Sequence, residues 1–182
     1  MYPVTISSPR LTLREFTQAD VLPLLAIYGD PKVAEHMSFE PRTREQVENT
    51  ITAVMRAAQA EPRMDYSLAA VLPDGDLVAF ARLAKDVGHP AQNSAQIGFA
   101  LRADCWGRGL GTEVVRLLLR LGFEQLHVYR IWGARSRMNE ASAKVMNKAG
   151  MVEEGTIRGH LQLADGRWRD SIVHSILAPE WS

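Results

Sequence analysis

The sequence predicts one α+β domain. Three observations carry that. Short apolar-polar alternations sit beside turn formers in the middle and at the end of the chain. Segments of helical period, each opened by a capping residue, lie before, between and after them. The order is β-α-α-β-β-β-α-β-α-β-β, with strands following strands as often as they follow helices. The chain has 182 residues and 46% hydrophobic content, enough for one core, and no repeat, low-complexity segment or long linker interrupts it. A single domain over residues 1–182 is therefore expected.

The elements follow in order. "RLTLREF", Arg10 to Phe16, alternates with Leu11, Leu13 and Phe16 inward, which predicts a strand. Thr17 with Asp20 three residues on forms a capping pattern for a helix through Tyr28. Asp30 caps a helical start at Pro31. Thr43 and Gln46 open a longer helix whose apolar positions are Val47, Ile51, Val54, Met55 and Ala58. "YSLAAVL" and "LVAFARLA" are two strands around a turn at Pro73 to Asp76. Asp86 to Asn93 is a loop, and Ala95 to Leu101 a further strand. A helix spans about Thr112 to Gln125, "YRIWGAR" is a strand, and "NEASAKVMNKAG" is a helix between an Asn139 cap and a Gly150 stop. "MVEEGTIR" and "RDSIVHSIL" make a final antiparallel pair around Asp165-Gly166.

Composition excludes several function classes. With 21 basic and 21 acidic side chains the formal net charge is +0, so no global field holds a nucleic acid. The one cysteine, Cys105, permits no intramolecular disulfide and fits a reducing compartment. "MYPVTISSPR" lacks the pattern of a secretory signal, and no apolar run is long enough for a bilayer. The expectation is a cytoplasmic protein without a membrane partner.

The segment "CWGRGLGTE", residues 105–113, carries the first chemical signal. A P-loop fails because Thr112 and Glu113 stand where Gly and Lys are needed. A dinucleotide fingerprint fails at Thr112 too, and Ile131 and Trp132 occupy the place of its acidic residue. The G-x-G-x-G spacing still lets residues 108–112 present consecutive backbone N–H groups at a helix start, where a pyrophosphate is favoured. A plain turn that only needs positive φ remains the competing reading.

"IGFALRADCWGRGLGTE", "NEASAKVMNKAGMVEEGTIR" and "GRWRDSIVHSIL", with the opening "SPRLTLREFTQAD" and "GDPKV", together resemble the GNAT superfamily of acetyl-CoA-dependent N-acetyltransferases. The resemblance covers nearly the whole chain and is similar to the RimJ/RimL-type branch, whose founding members acetylate N-terminal amines of ribosomal proteins. It implies a central mixed, mostly antiparallel, twisted sheet with helices on both faces. It implies acetyl-CoA as donor, with the pyrophosphate on Gly107, Arg108, Gly109, Leu110, Gly111 and Thr112. Trp106 takes the first motif position, a substitution the branch also uses; packing is its other role. Phe99 and Leu101 would lie beside the pantetheine arm, and Asn139 and Ser142 match the family's Asn-x-x-Ser pattern. Relatives pair into dimers, so a homodimer is implied as an option.

The same resemblance implies direct attack of a neutral primary amine on the acetyl group in a ternary complex. The tyrosine that protonates the leaving thiolate in many members is missing from Lys144-Val145-Met146-Asn147, and Tyr129 lies before the strand. Ser142 is then the candidate donor. The acidic residue expected after the penultimate strand is replaced by Gly159, His160 and Leu161, which leaves His160 as candidate base or as a plain surface histidine. Asp170 matches an acidic position of the branch and would orient substrate or tie strands together. Glu35, His36 and Glu40 are candidates to bind the amine, and equally a solvated face. Met151 and Asn147 depart from the usual pattern behind the site. A peptide α-amine, a small amine, an antibiotic, a longer acyl donor and a non-catalytic acyl-CoA sensor stay open at this level.

Overall fold

A computed structural model describes residues 1–88 and 92–181; the loop expected over Asp86 to Asn93 falls partly outside these. Strands β1 (Thr5–Ser7), β2 (Thr12–Arg14), β3 (Asp65–Val71), β4 (Leu77–Lys85), β5 (Ser94–Leu101), β6 (Arg130–Ser136), β7 (Val152–Gln162) and β8 (Trp168–Leu177) form one sheet in the order β1-β2-β3-β4-β5-β6-β8-β7. Every neighbouring pair is antiparallel except β5–β6. The helices are α1 (Val21–Tyr28), α2 (Pro31–Ala34), α3 (Arg44–Ala58), α4 (Leu110–Arg120) and α5 (Glu140–Lys148). None of the described helices is long and apolar enough to cross a membrane.

Alternation along β4 sorts the two cores. Ala79, Ala81 and Leu83 face α4 and α5 together with Ile97, Ile131 and Met146. Phe80 faces the other way and packs with Leu24, Ile27, Val47 and Ile51 of α1 and α3. The sheet is thus covered on both sides, by two layers of different helices. The α4 layer lies very close. A Cβ on Gly122, in the π-helical turn that continues α4, would sit 2.5 Å from Ile131 Cδ1 and 2.9 Å from Leu83 Cδ1.

The caps explain where the helices begin. Asp20 accepts from the Thr17 N–H at 2.7 Å, Asp30 from the Lys32 N–H at 2.9 Å, and Thr43 and Gln46 reciprocate across the first turn of α3. Each such cap contributes about 1 kcal/mol, which sets a boundary but does not hold the layer. Burial of whole apolar faces does that.

Four expectations need correction. A strand β1 precedes β2, held by Ile6 in the core and by pairing with β2. The strand expected over Arg10–Phe16 pairs only over Thr12–Arg14. Helix α4 starts at Leu110, not near Thr112, because Gly109 already turns the chain. Strand β7 runs on to Gln162, so Gly159, His160 and Leu161 lie within it and not after it. A register shift between Ile157 and Leu161, with Gly159 at φ +54°, makes a bulge at His160.

Candidate active site

The glycine segment builds an anion cradle from backbone. Gly107 and Gly109 hold φ of +74° and +78°, conformations a side chain would strain. Gly109 is the N-cap of α4 and supplies no side-chain cap. The N–H groups of Leu110, Gly111 and Thr112 therefore donate to nothing among the described residues, while Glu113 N–H reaches Gly109 O at 3.3 Å. Nothing lies within 4 Å of where a Gly107 Cβ would be, so the approach is open. Arg108 is exposed at its edge and its side chain is unbonded. Trp106 anchors the loop by donating its indole N–H to Leu101 O at 3.1 Å.

The N-terminal segment steadies the cradle from outside. Arg10 donates Nε to Glu113 Oε2 at 2.8 Å and Nη1 to Arg108 O at 3.1 Å, and Ser8 Oγ donates to Glu113 Oε1. Burial raises the Glu113 carboxyl, but the bonds from Ser8 and Arg10 outweigh it and hold the group below its ordinary value. The charge of Glu113 is thereby offset where it would otherwise repel a phosphate. Beside the loop, burial pushes the Cys105 thiol up, the wrong direction for a nucleophile.

The strand before the cradle separates from its neighbour. β5 and β6 pair only at Ser94–Arg130, Ala95–Ile131 and Gln96–Trp132, and beyond that they diverge. Arg102 N–H donates back to Val78 O. By the two-residue period, Ala100 and Gly98 also bond toward β4, while the peptide groups of Ile97, Phe99 and Leu101 face the gap. Trp106 occupies the Leu101 carbonyl, so the Phe99 N–H and C=O are the free pair at mid-gap.

Across the gap stands the start of α5. Asn139 Oδ1 caps it by accepting from Ser142 N–H at 3.0 Å. The Ser142 hydroxyl is half-buried and unbonded among the described residues. Gly111 lets α4 and α5 touch: its Cβ would lie 3.1 Å from Val145 Cγ2. The close contact at Gly111 ties α5, with Ser142 in its first turn, to α4, which the glycine turn opens.

The gap also opens on the opposite sheet face. Gly98 shares that face with Arg82, its partner on β4, and with Phe80 and Ala100. A Cβ on Gly98 would meet nothing within 4 Å. The rim comes from distant segments. The Tyr28 ring packs tilted against Phe39 and Phe80, with centroids 5.0 and 5.4 Å away, and the Arg42 guanidinium lies 4.5 Å from the Phe39 ring centre. From β8, Arg169 Nη1 donates to His36 O at 2.9 Å and Met37 O at 3.3 Å. Arg42 Nε and Arg169 Nε of this rim are buried without a hydrogen-bond partner among the described residues, as are Ser171 Oγ on β8 and His160 Nδ1 on β7.

The acceptor-side residues named from sequence are scattered. His36 serves the rim through its carbonyl, whereas the side chains of Glu35 and Glu40 are exposed and form no hydrogen bond or ion pair among the described residues. Asp170 Oδ1 accepts from Gly159 N–H at 2.9 Å across the bulge. Sequence reasoning missed Tyr28, Gly98, Arg42 and Arg169. No spacing links them, since the fold alone brings α1, the segment after α2, β5 and β8 together.

The family model described as an acetyltransferase (GNAT) domain matches residues 10–152. Among curated relatives, the uncharacterized N-acetyltransferase p20 of Bacillus licheniformis is 26% identical over 98% of both chains. The [ribosomal protein uS5]-alanine N-acetyltransferase of Escherichia coli is 26% identical over 50% of this chain and 46% of its own. The structure of Mycobacterium smegmatis RimJ in complex with CoA-disulfide aligns with a TM-score of 0.83, covering 98% of this chain and 90% of that one. At 22% identity that likeness is one of fold. The chain belongs to the GNAT family and is an N-acetyltransferase whose acetyl donor is acetyl-CoA.

Proposed function

We propose that the chain acetylates a primary amine, either the α-amine of a peptide or protein or a small amine resembling one, by direct attack in a ternary complex. The observation that carries this is the β5–β6 gap. It presents a free peptide edge and an anion cradle on one sheet face and an open crevice at Gly98 on the other. Acetyl-CoA supplies the activated acetyl group. The amides of Leu110, Gly111 and Thr112 hold its pyrophosphate, with Arg108 as an exposed cation beside them. The Phe99 peptide aligns the arm, and a free N–H of this edge polarises the acetyl carbonyl. Asn139 orients the start of α5, and Ser142 Oγ donates to the departing thiolate, directly or through water. His160, in the β7 bulge, is the imidazole assigned to take the amine proton through water.

The reading needs no covalent enzyme intermediate, in keeping with the buried thiol of Cys105. A peptide α-amine gains support from the relative named for alanine acetylation of a ribosomal protein. The test is release of free thiol from acetyl-CoA with peptides, amino-acid derivatives, polyamines and aminoglycosides, with mass spectrometry of the amines. Thiol release coupled to an acetylated amine is the expected result. Acetyl-CoA binding without transfer to any of them contradicts the proposal.

A further inference from the structure

Most guanidinium groups of this protein are matched to a carboxylate. Arg14 pairs with Asp20, Arg63 with Glu15, Arg82 with Asp65, Arg102 with Asp76 and Arg130 with Glu154. Arg42 and Arg169 are among those that are not, and of these they alone, among the described residues, keep a buried nitrogen without a partner. Among the described residues neither forms an ion pair, and each keeps a buried Nε–H with no acceptor. The Arg42 guanidinium lies over the Phe39 ring and near Tyr28, and Arg169 donates to the carbonyls of His36 and Met37. An uncompensated buried donor on a cation is costly to maintain. Both border the cluster of Tyr28, Met37, Phe39 and Phe80, which packs on the sheet face that Gly98 shares.

The local carboxylates do not offset them. Asp65 is spent on Arg82 and Ser67, and Asp170 on the Gly159 N–H. Glu35 and Glu40 are exposed on the outer side of the same segment. A crevice of this charge disfavours a polycation. It favours an acceptor that brings its own acceptor oxygens.

Resting on the transferase reading above, we infer that the preferred acceptor is an amine carrying a carboxylate, which Arg42 and Arg169 bind so that the amine faces the gap at Gly98. Guanidinium forks are suited to planar carboxylates, and the two unused Nε–H donors are the atoms such a group would satisfy. The carboxylate comes either from a side chain of an acidic peptide or from the main chain of a small amino acid. Both present the same chemistry to the arginines.

The test compares acceptors that differ only in charge. One arm uses peptides with Asp or Glu after the N-terminal residue against the same peptides with Asn or Gln. The other uses free amino acids against their amides. The unmodified enzyme is expected to favour the carboxylate form by roughly 10- to 100-fold in kcat/KM in at least one arm. That arm identifies the source. Arg42→Gln and Arg169→Gln are expected to remove the preference by raising KM for the carboxylate acceptors toward that for the amides, and Arg169→Lys to restore part of it. Because the comparison is made first on the unmodified enzyme, a variant that fails to fold leaves the test intact. Equal or faster acetylation of the amide and polyamine acceptors overturns the carboxylate reading and leaves the transferase reading standing. Absence of transfer to every amine overturns both.

Discussion

The two faces of the β5–β6 gap are built on different principles. The donor face is backbone: two glycines at positive φ, three unpaired helix N–H groups and one free strand edge. The acceptor face is side chain: Tyr28, Arg42 and Arg169, delivered by three remote segments. Backbone recognition tolerates change around it, because only a few glycines must stay. Side-chain recognition is rewritten by one substitution at any rim position. One fold can therefore keep its donor while its acceptor varies.

The sharpest way to break that contrast is to give the cradle a side chain. Gly109→Val places a β-branched residue at φ +78°, a backbone conformation it adopts only with strain, its Cβ in ordinary contact with the Arg10 guanidinium at 3.6 Å. Acetyl-CoA affinity, read by calorimetry, is expected to fall about 10- to 100-fold, since the left-handed conformation alone costs roughly 1–2 kcal/mol. The ratio of rates between two acceptors should not move. A shifted acceptor preference would show that the faces are not separable.

Ser142→Ala probes the junction between them. Turnover should drop roughly tenfold or more, while acetyl-CoA affinity stays near that of the parent. Unchanged turnover would remove Ser142 from proton transfer and leave Asn139 as a simple cap.

The smallest effect lies outside both faces. Hydrogen bonds from Arg130 and then Ser175 hold the Glu154 carboxyl down to about 2. A depressed carboxylate adds stability above its unfolded value near 4.3, and that contribution is lost as pH falls toward 2. The pair is partly exposed and screened, so Glu154→Gln should cost at most about 1 kcal/mol at pH 7 and almost nothing near pH 2, by denaturant unfolding. Acetyl transfer at pH 7 should be unaffected.

The same contrast explains what the sequence made legible. Caps at Thr17, Asp30, Thr43 and Asn139 are local signals, so helix starts were readable from neighbouring residues. The positive-φ turn at Gly107 and Gly109 was readable for the same reason, because one short stretch supplies it. Strand β1 was not, since three residues give too little period and Ile6 is fixed by distant packing. The bulge in β7 was hidden because Gly159 takes positive φ under the pull of strand pairing with β8. Arg42 and Arg169 sit in no motif or spacing; their isolation from carboxylates exists only in three dimensions.

The central claim is that acetyl passes straight across the gap from the backbone-built face to the side-chain-built one. A single turnover with acetyl-CoA labelled in its acetyl group, quenched at successive times, tests it most directly. Label appearing only on the acceptor amine, at every time point, is the predicted result. Label trapped on the protein before it reaches the amine, at Cys105 or any other side chain, would contradict it.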